Sequence, residues 1–351
     1  MISKKRQASI AAALFVPALL LGACGSDSED TGEGASSATA DTEVSGSIVV
    51  SGSSTVEPVI ALAAEDFMGQ NGNVDISVEG PGTGDGFELF CNGETDISNA
   101  SRAIKEEEIA ACKENGIEFI ELKVAIDGLS VITAEDNAVE CLSYADLYAL
   151  VGPESEGFSN WTDAQDLAAT LGSSTEFPDE NLVVTAPGAE SGTFDSFVEL
   201  VIEEAGAARV ESGDISEDDV ATARDDYSAS ANDNVIIEGV TGDPGGLGWV
   251  GFSFADLATG IKLMPVSAEP DGDCVEPSSE TIQDGSYPIS RPLFVYVNAQ
   301  KAEENDALGA FVDFSLDGLT EFVETADYVA LADSAETVDA WENRTTGTRE
   351  G

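Results

Sequence analysis

Twice along this chain a short apolar run gives way to small hydroxyl and glycine residues and then to an amphipathic helical stretch. The two places are Ser53-Ser54-Thr55 and Ser191-Gly192-Thr193. A strand, a polar turn and a helix in that order put the turn beyond the carboxyl end of the strand, which confines the chain to α/β architectures. The first N–H groups of each helix lack internal partners and sit at the positive end of its macrodipole. Each turn can therefore hold an anion without help from lysine. Ordinary helix capping is the other use of Ser and Thr at such positions.

The spacing of apolar residues extends this reading along the chain. Residues 46–52 read as a buried strand and Val56 to Phe67 as a helix, with Pro58 tolerated in its first turn. Val74 to Val78 is a second strand, followed by the Gly80–Gly86 loop and a short helix carrying Phe87 and Phe90. A third strand, Asp96 to Asn99, runs into Ala100-Ser101-Arg102 and a charged helix from Lys105 to Glu114. Glu121 to Thr133 is apolar and β-rich, with a break expected at Asp127-Gly128. In the second region, Val183-Val184-Thr185 precedes Ser191-Gly192-Thr193, and Phe194, Phe197, Val198, Val201 and Ile202 fall on one helical stripe. Gly245 to Gly251 reads as a strand whose glycines allow close backbone approach, and Tyr287 to Val297 as a long apolar strand. The alternation predicts a mainly parallel sheet with helices on both faces and ligand loops beyond the strands' carboxyl ends. Strands near 124–133 and 288–297 are natural crossovers between two lobes.

Composition narrows the function. With 68 Asp and Glu against 14 Lys and Arg, the net charge of −54 opposes nucleic acid and anionic lipid surfaces as partners. The absence of His removes Ser-His-Asp triads and His-rich zinc sites. Gly188-Ala189-Glu190-Ser191-Gly192 is not a nucleophile elbow, and Gly82, Gly84 and Gly86 are not followed by the Lys-Ser/Thr of a phosphate-binding loop. No catalysis, metal or cofactor is expected, and an exported phosphate-ester hydrolase stands as the enzyme alternative.

Lys4, Lys5 and Arg6, followed by an apolar stretch from Ile10 to Leu21, form a signal peptide over residues 1–23. Leu21-Gly22-Ala23-Cys24 looks like a bacterial lipobox, which makes Cys24 the lipidated first residue of an extracytoplasmic, membrane-anchored protein. Residues 24–44 then read as a polar tether. Cys91, Cys112, Cys141 and Cys274 remain, an even number that favours disulfides in an exported protein. Four cysteines allow three pairings. Cys91 and Cys112 flank one short helix-turn-helix stretch, which pairs them with each other and Cys141 with Cys274.

The ordered set Ser51–Pro58, Gly80–Phe87, Thr95–Arg102, Ser191–Asp195 and Arg291–Phe294 resembles the PstS family, the phosphate-binding components of bacterial phosphate ABC transporters. The resemblance covers essentially all of the chain from residue 45. It implies a two-lobed type II periplasmic-binding-protein fold with two crossover strands at the hinge. Lobe I would comprise residues 45–127 and 291–351, and lobe II residues 128–290. It implies a monomeric receptor that closes on one phosphate ion, or on a related oxyanion, and delivers it to an ABC permease. The family's anion-holding positions fall on Ser54, Thr55 and Val56, on Thr83, and on Ser191, Gly192 and Thr193.

Two positions depart from the best-known members. Arg102 stands where they have an Asp, and Pro187 where they have an Arg. The guanidinium is thus expected to have moved lobes, leaving Arg102 as the sole cation near the anion, unless it pairs with the Glu106–Glu108 run. The carboxylate that would accept a phosphate proton is expected at Asp127, with Asp195 as the alternative; a turn with Gly128 is the other use of Asp127.

Overall fold

The computed structural model describes residues 44–348 apart from Glu190. The expected signal peptide, Cys24 and all but the last residue of the tether lie outside the described residues. The chain begins as the alternation predicts: β1 (Gly46–Gly52), α1 (Glu57–Gln70), β2 (Val74–Glu79), α2 (Thr83–Cys91), β3 (Ile97–Ala100) and α3 (Glu106–Glu114). The 16-residue β4 (Phe119–Ala134) follows, buried along nearly its whole length. Next come β5 (Leu142–Ser143), α4 (Tyr144–Val151), α5 (Gln165–Thr170) and β6 (Val183–Ala186). Helix α6 (Gly192–Phe197) continues through a π turn at Val198–Ile202 into α7 (Glu203–Ser212). Strands β7 (Ser228–Ala229), β8 (Gly246–Gly251), β9 (Ile261–Leu263), β10 (Val266–Ser267) and β11 (Ser290–Asn298) complete the sheets.

The main sheet has the order β2-β1-β3-β11-β4-β8-β6-β7, with β9 also paired to β4. Its flanks are parallel, β1 to β2 and β3 on one side and β6 to β7 and β8 on the other. Its centre is antiparallel: β11 pairs with β3 and β4, and β4 pairs with β8 and β9. The sheet is therefore mixed rather than mainly parallel, because the chain leaves the first half through β4 and returns through β11 in the opposite direction. Nor does β4 break at Asp127-Gly128. Asp127 pairs with Arg291 and Gly128 with Ser290, so the ladder runs on.

Two large apolar cores divide along β4. Ile48, Val50, Val59, Phe67, Phe311 and Trp341 belong to one, which includes Ala125 of β4. Tyr148, Trp161, Phe197, Trp249 and Tyr287 belong to the other, which begins with the next residue, Ile126. A smaller cluster under α2 and α3 holds Phe87, Phe90, Phe119 and Tyr296. The predicted stripe of α6 is buried throughout, and the π turn shifts it without exposing it. Phe197 stacks on Trp249 with ring centroids 4.1 Å apart.

Two glycines let the backbone cross tightly where β1 ends. Gly52 has a φ of +142°, and a Cβ there would fall 2.1 Å from the carbonyl oxygen of Asn99. A Cβ on Gly86 would lie 2.4 Å from the Cα of Gly52. These contacts press α2 onto the end of β1, and Gly82 N–H donates to Gly52 O at 2.9 Å. Both disulfides form as the spacing pairs them, Cys91 with Cys112 and Cys141 with Cys274.

Gly86→Ala should cost more than about 2 kcal/mol, because backbone rather than a flexible side chain must yield. Gly84→Ala, which meets nothing within 4 Å in the same helix, should be neutral or stabilising by up to about 1 kcal/mol. Denaturant midpoints of the two variants check this. The disulfides close separations of 133 and 21 residues. Chain entropy then gives about 5 kcal/mol for Cys141–Cys274 and about 3 kcal/mol for Cys91–Cys112. Replacing both cysteines of each pair by Ser should therefore lower the melting temperature more for Cys141–Cys274, as calorimetry would show.

Candidate functional site

Three loops of the first half meet at the carboxyl ends of β1 and β3. Ser53 N–H donates to Asn99 O at 2.9 Å, joining the 53–56 and 99–102 loops. The Thr83 hydroxyl joins α2 to the same place, accepting Ser101 N–H at 3.2 Å and lying 3.0 Å from the Ser101 hydroxyl. From the second half, the turn after β6 comes into direct contact with them. A Cβ on Gly192 would lie 3.4 Å from the Cα of Thr55. The fold thus brings Ser54 and Thr55 close to Gly192, the first residue of α6, with Thr83 tied to Ser101 on the first-half side.

The hydroxyls of the two turns are used differently. Helix α1 follows Val56 with no side-chain cap. Instead the Ser54 hydroxyl donates to Asp195 Oδ2 at 3.0 Å, and Thr55 Oγ1 lies 3.3 Å from Ser196 Oγ. Both partners belong to α6, in the other half. At the second turn Ser191 is a cap, accepting Thr193 N–H at 3.2 Å.

Arg291 on β11 and Asp127 on β4 face each other in the strand register beneath these turns. Arg291 Nη2 donates to Ser196 Oγ at 2.7 Å and reaches Thr55 Oγ1 at 3.4 Å. The Ser196 hydroxyl in turn donates to Asp127 Oδ2 at 2.7 Å. Arg291 Nε stands 3.5 Å from that same oxygen, near enough for charge pairing but without a hydrogen bond. Nη1 is paired with Glu199. The Asp127 side chain is only 2 % exposed and that of Arg291 only 10 %. Burial pushes the Asp127 carboxyl above its ordinary pKa, opposed by the Arg291 charge and the Ser196 hydrogen bond. Asp195 is also raised by burial, with the Ser54 hydrogen bond acting against it. One polar cluster therefore links the β1 turn, α6, β4 and β11.

Arg102, expected as the sole cation near the anion unless it paired with the Glu106–Glu108 run, is paired with Glu108, and a second cation, Arg291, stands in the cluster. Arg102 Nη2 and Nη1 donate to the two carboxylate oxygens of Glu108 at 2.7 and 2.9 Å, and its guanidinium lies 5.5 Å from the centre of the Phe87 ring. Glu108 also accepts Lys105 N–H at 2.8 Å, so it is a helix-start carboxylate that captures the nearest arginine. The cation inside the cluster is Arg291. Asp127 is a ladder residue with a buried charge partner, not a turn residue. The sequence reading missed Arg291, Ser196 and Glu199. A charged residue in a long apolar strand, and hydroxyl and acidic residues three apart on the helix after Ser191-Gly192-Thr193, were the available signals.

Comparison with known proteins follows the same lines. Residues 37–318 match the family model of the PBP superfamily domain. Protein SphX of Synechococcus elongatus is 36% identical over 293 residues, covering 83% of this chain and 79% of the relative. Phosphate-binding protein PstS of Staphylococcus saprophyticus is 34% identical over 316 residues, 89% of this chain and 86% of the relative. The crystal structure of a possible phosphate binding protein from Planctomyces limnophilus superposes with a TM-score of 0.75 at 32% identity. That match spans 86% of this chain and 99% of that one. A chain with this sheet order, this pair of facing turns and this similarity along most of its length belongs to the PstS family of the PBP superfamily and has its two-lobed fold.

Proposed function

We propose that this chain is an extracytoplasmic receptor that binds inorganic phosphate between its lobes and delivers it to an ABC importer, anchored to the membrane by lipid on Cys24. The observation that carries the reading is the convergence of Arg291, Asp127 and hydroxyls from both halves on one buried cluster. Arginine supplies a fixed charge and a planar fork suited to a tetrahedral oxyanion. The turns at Ser54–Val56 and Ser191–Thr193, with Thr83 on the first-half side, supply neutral donors that take up an anion without a large countercharge. Lobe I, residues 45–127 and 291–351, and lobe II, residues 128–290, close on the ion by bending at β4 and β11. The chain performs no catalysis and works as a monomer.

Asp127 gives the site its discrimination. Its hydrogen bond and its ion pair both fall on Oδ2, which leaves Oδ1 to accept a proton from the ligand. Phosphate keeps a proton near neutral pH and sulfate does not, so an acceptor-only carboxylate favours the first and repels the second. Arsenate shares phosphate's charge, shape and proton and should bind as well. On the membrane side, no helix among the described residues is long and apolar enough to cross a bilayer.

Calorimetry of the purified protein with phosphate, arsenate, sulfate and molybdate tests the reading, and an absence of phosphate binding would overturn it. Arg291→Ala should weaken phosphate binding by about 30- to 1000-fold, or about 2–4 kcal/mol, the loss of one partner of a buried charged contact. Arg102→Ala should weaken it less than Arg291→Ala does, since the Arg102 side chain is more exposed and is held by Glu108 outside the Asp127–Ser196 hydrogen bonds. Equal effects of the two variants would return Arg102 to the site. Asp127→Asn should weaken phosphate by about 1–3 kcal/mol and let sulfate begin to bind; a variant that still rejects sulfate would move the acceptor role to Asp195.

A further inference from the structure

The polar cluster contains a carboxylate that the phosphate reading does not use. Glu199 sits in the π turn that interrupts the helix after Gly192, one helical turn beyond Ser196, and pairs with Arg291 Nη1. The other edges of the guanidinium are taken: Nη2 by Ser196 and Thr55, and Nε by the charge of Asp127. Both Nη groups of Arg291 thus carry partners, while Nε has the Asp127 charge beside it but no hydrogen bond.

The three carboxylates around it are held unequally. Asp127 is buried and bonded to Ser196, and Asp195 is bonded to Ser54 across the two halves. The Glu199 side chain is 49 % exposed, with Arg291 as its ion-pair partner. An exposed partner returns to water at little cost, whereas a buried one does not. Glu199 also disfavours further negative charge nearby: burial is what chiefly raises the carboxyls of Asp127, Asp195 and Glu203, and the Glu199 charge adds to it in the same direction. The guanidinium of Arg102 feels the same charge. An incoming oxyanion would meet that repulsion and find Nη1 occupied.

We propose that Glu199 is an internal competitor for the anion: its carboxylate pairs with the Nη1 edge of Arg291, swings into solvent when an oxyanion binds there, and so sets the affinity below what Arg291 alone would give. The inference rests on the reading that an oxyanion docks at Arg291. A π turn at this point is consistent with such a role, since these one-turn irregularities persist mostly where they aim a functional side chain.

The test compares the parent with Glu199→Gln and Glu199→Asp by calorimetry. Glu199→Gln keeps the size and removes the charge; Glu199→Asp keeps the charge on a shorter arm. Glu199→Gln should bind phosphate about two- to tenfold more tightly than the parent, the range set by an exposed charge pair and one nearby unit charge. Glu199→Asp should fall between the two. Melting temperatures without ligand establish that all three proteins are folded. If Glu199 instead serves to position Arg291, Glu199→Gln will bind phosphate as weakly as the parent or more weakly, and that result overturns the proposal. If phosphate binds none of the three, the phosphate reading fails by itself. Sulfate and molybdate titrations then decide on Glu199 by the same criterion: whichever anion binds the parent must bind Glu199→Gln more tightly.

Discussion

The ion pair between Arg291 and Asp127 is the constraint on which the middle of this molecule depends. The two residues face each other on β11 and β4, the strands that join the halves, and both are nearly withdrawn from water. A buried charge that loses its partner costs several kcal/mol, so neither residue is free to change alone. Ser196 on α6 hydrogen-bonds to both residues, and Arg291 reaches Thr55 on the β1 turn at longer range. Satisfying the pair therefore ties the turn of one half to the helix of the other. The contact between Gly192 and Thr55 follows from the same convergence.

This arrangement also explains how an anion site fits a chain with a net charge of −54. Charges on the outer surface are screened within about 8–10 Å at ordinary ionic strength, so the global excess governs solubility and approach rather than the bound state. What the cluster presents inside is local: one guanidinium, hydroxyls, the start of α6 and the carboxylates of Asp127, Asp195 and Glu199. Several of the surface cations are spent on carboxylates of their own, Arg102 on Glu108, Arg209 on Glu154 and Asp214, and Lys301 on Asp96. Arg291 differs in being held beneath the surface, where its charge is less screened.

Much of the fold was legible because the signals were local and periodic. The strand-to-helix alternation from β1 to α3, the buried stripe of α6 and the two disulfides came out as read. The glycines of β8 allow close backbone approach as read, as a missing side chain in a strand often does. The errors arose where the answer depended on pairing between distant segments. A parallel sheet was expected because each βα unit suggests one, but β4 and β11 run opposite ways, a property of the whole chain path. Asp127-Gly128 looked like a turn because those residues favour turns, but Arg291 and Ser290 opposite them kept the ladder intact.

The site divides in the same manner. By itself the sequence determined that two hydroxyl-rich turns would start helices, that no His could serve a triad or zinc site, and that an acidic chain would have to hold an anion mainly with neutral donors. Each of these follows from residue type and short-range spacing. The tertiary structure decided which cation stands beneath the turns, because Glu108 captured Arg102 at a helix start while the strand register set Arg291 against Asp127. It also decided that Ser54 and Thr55 would reach across to Asp195 and Ser196 rather than cap α1. Those outcomes depend on residues up to 236 positions apart, and only the folded chain places such residues within hydrogen-bonding distance.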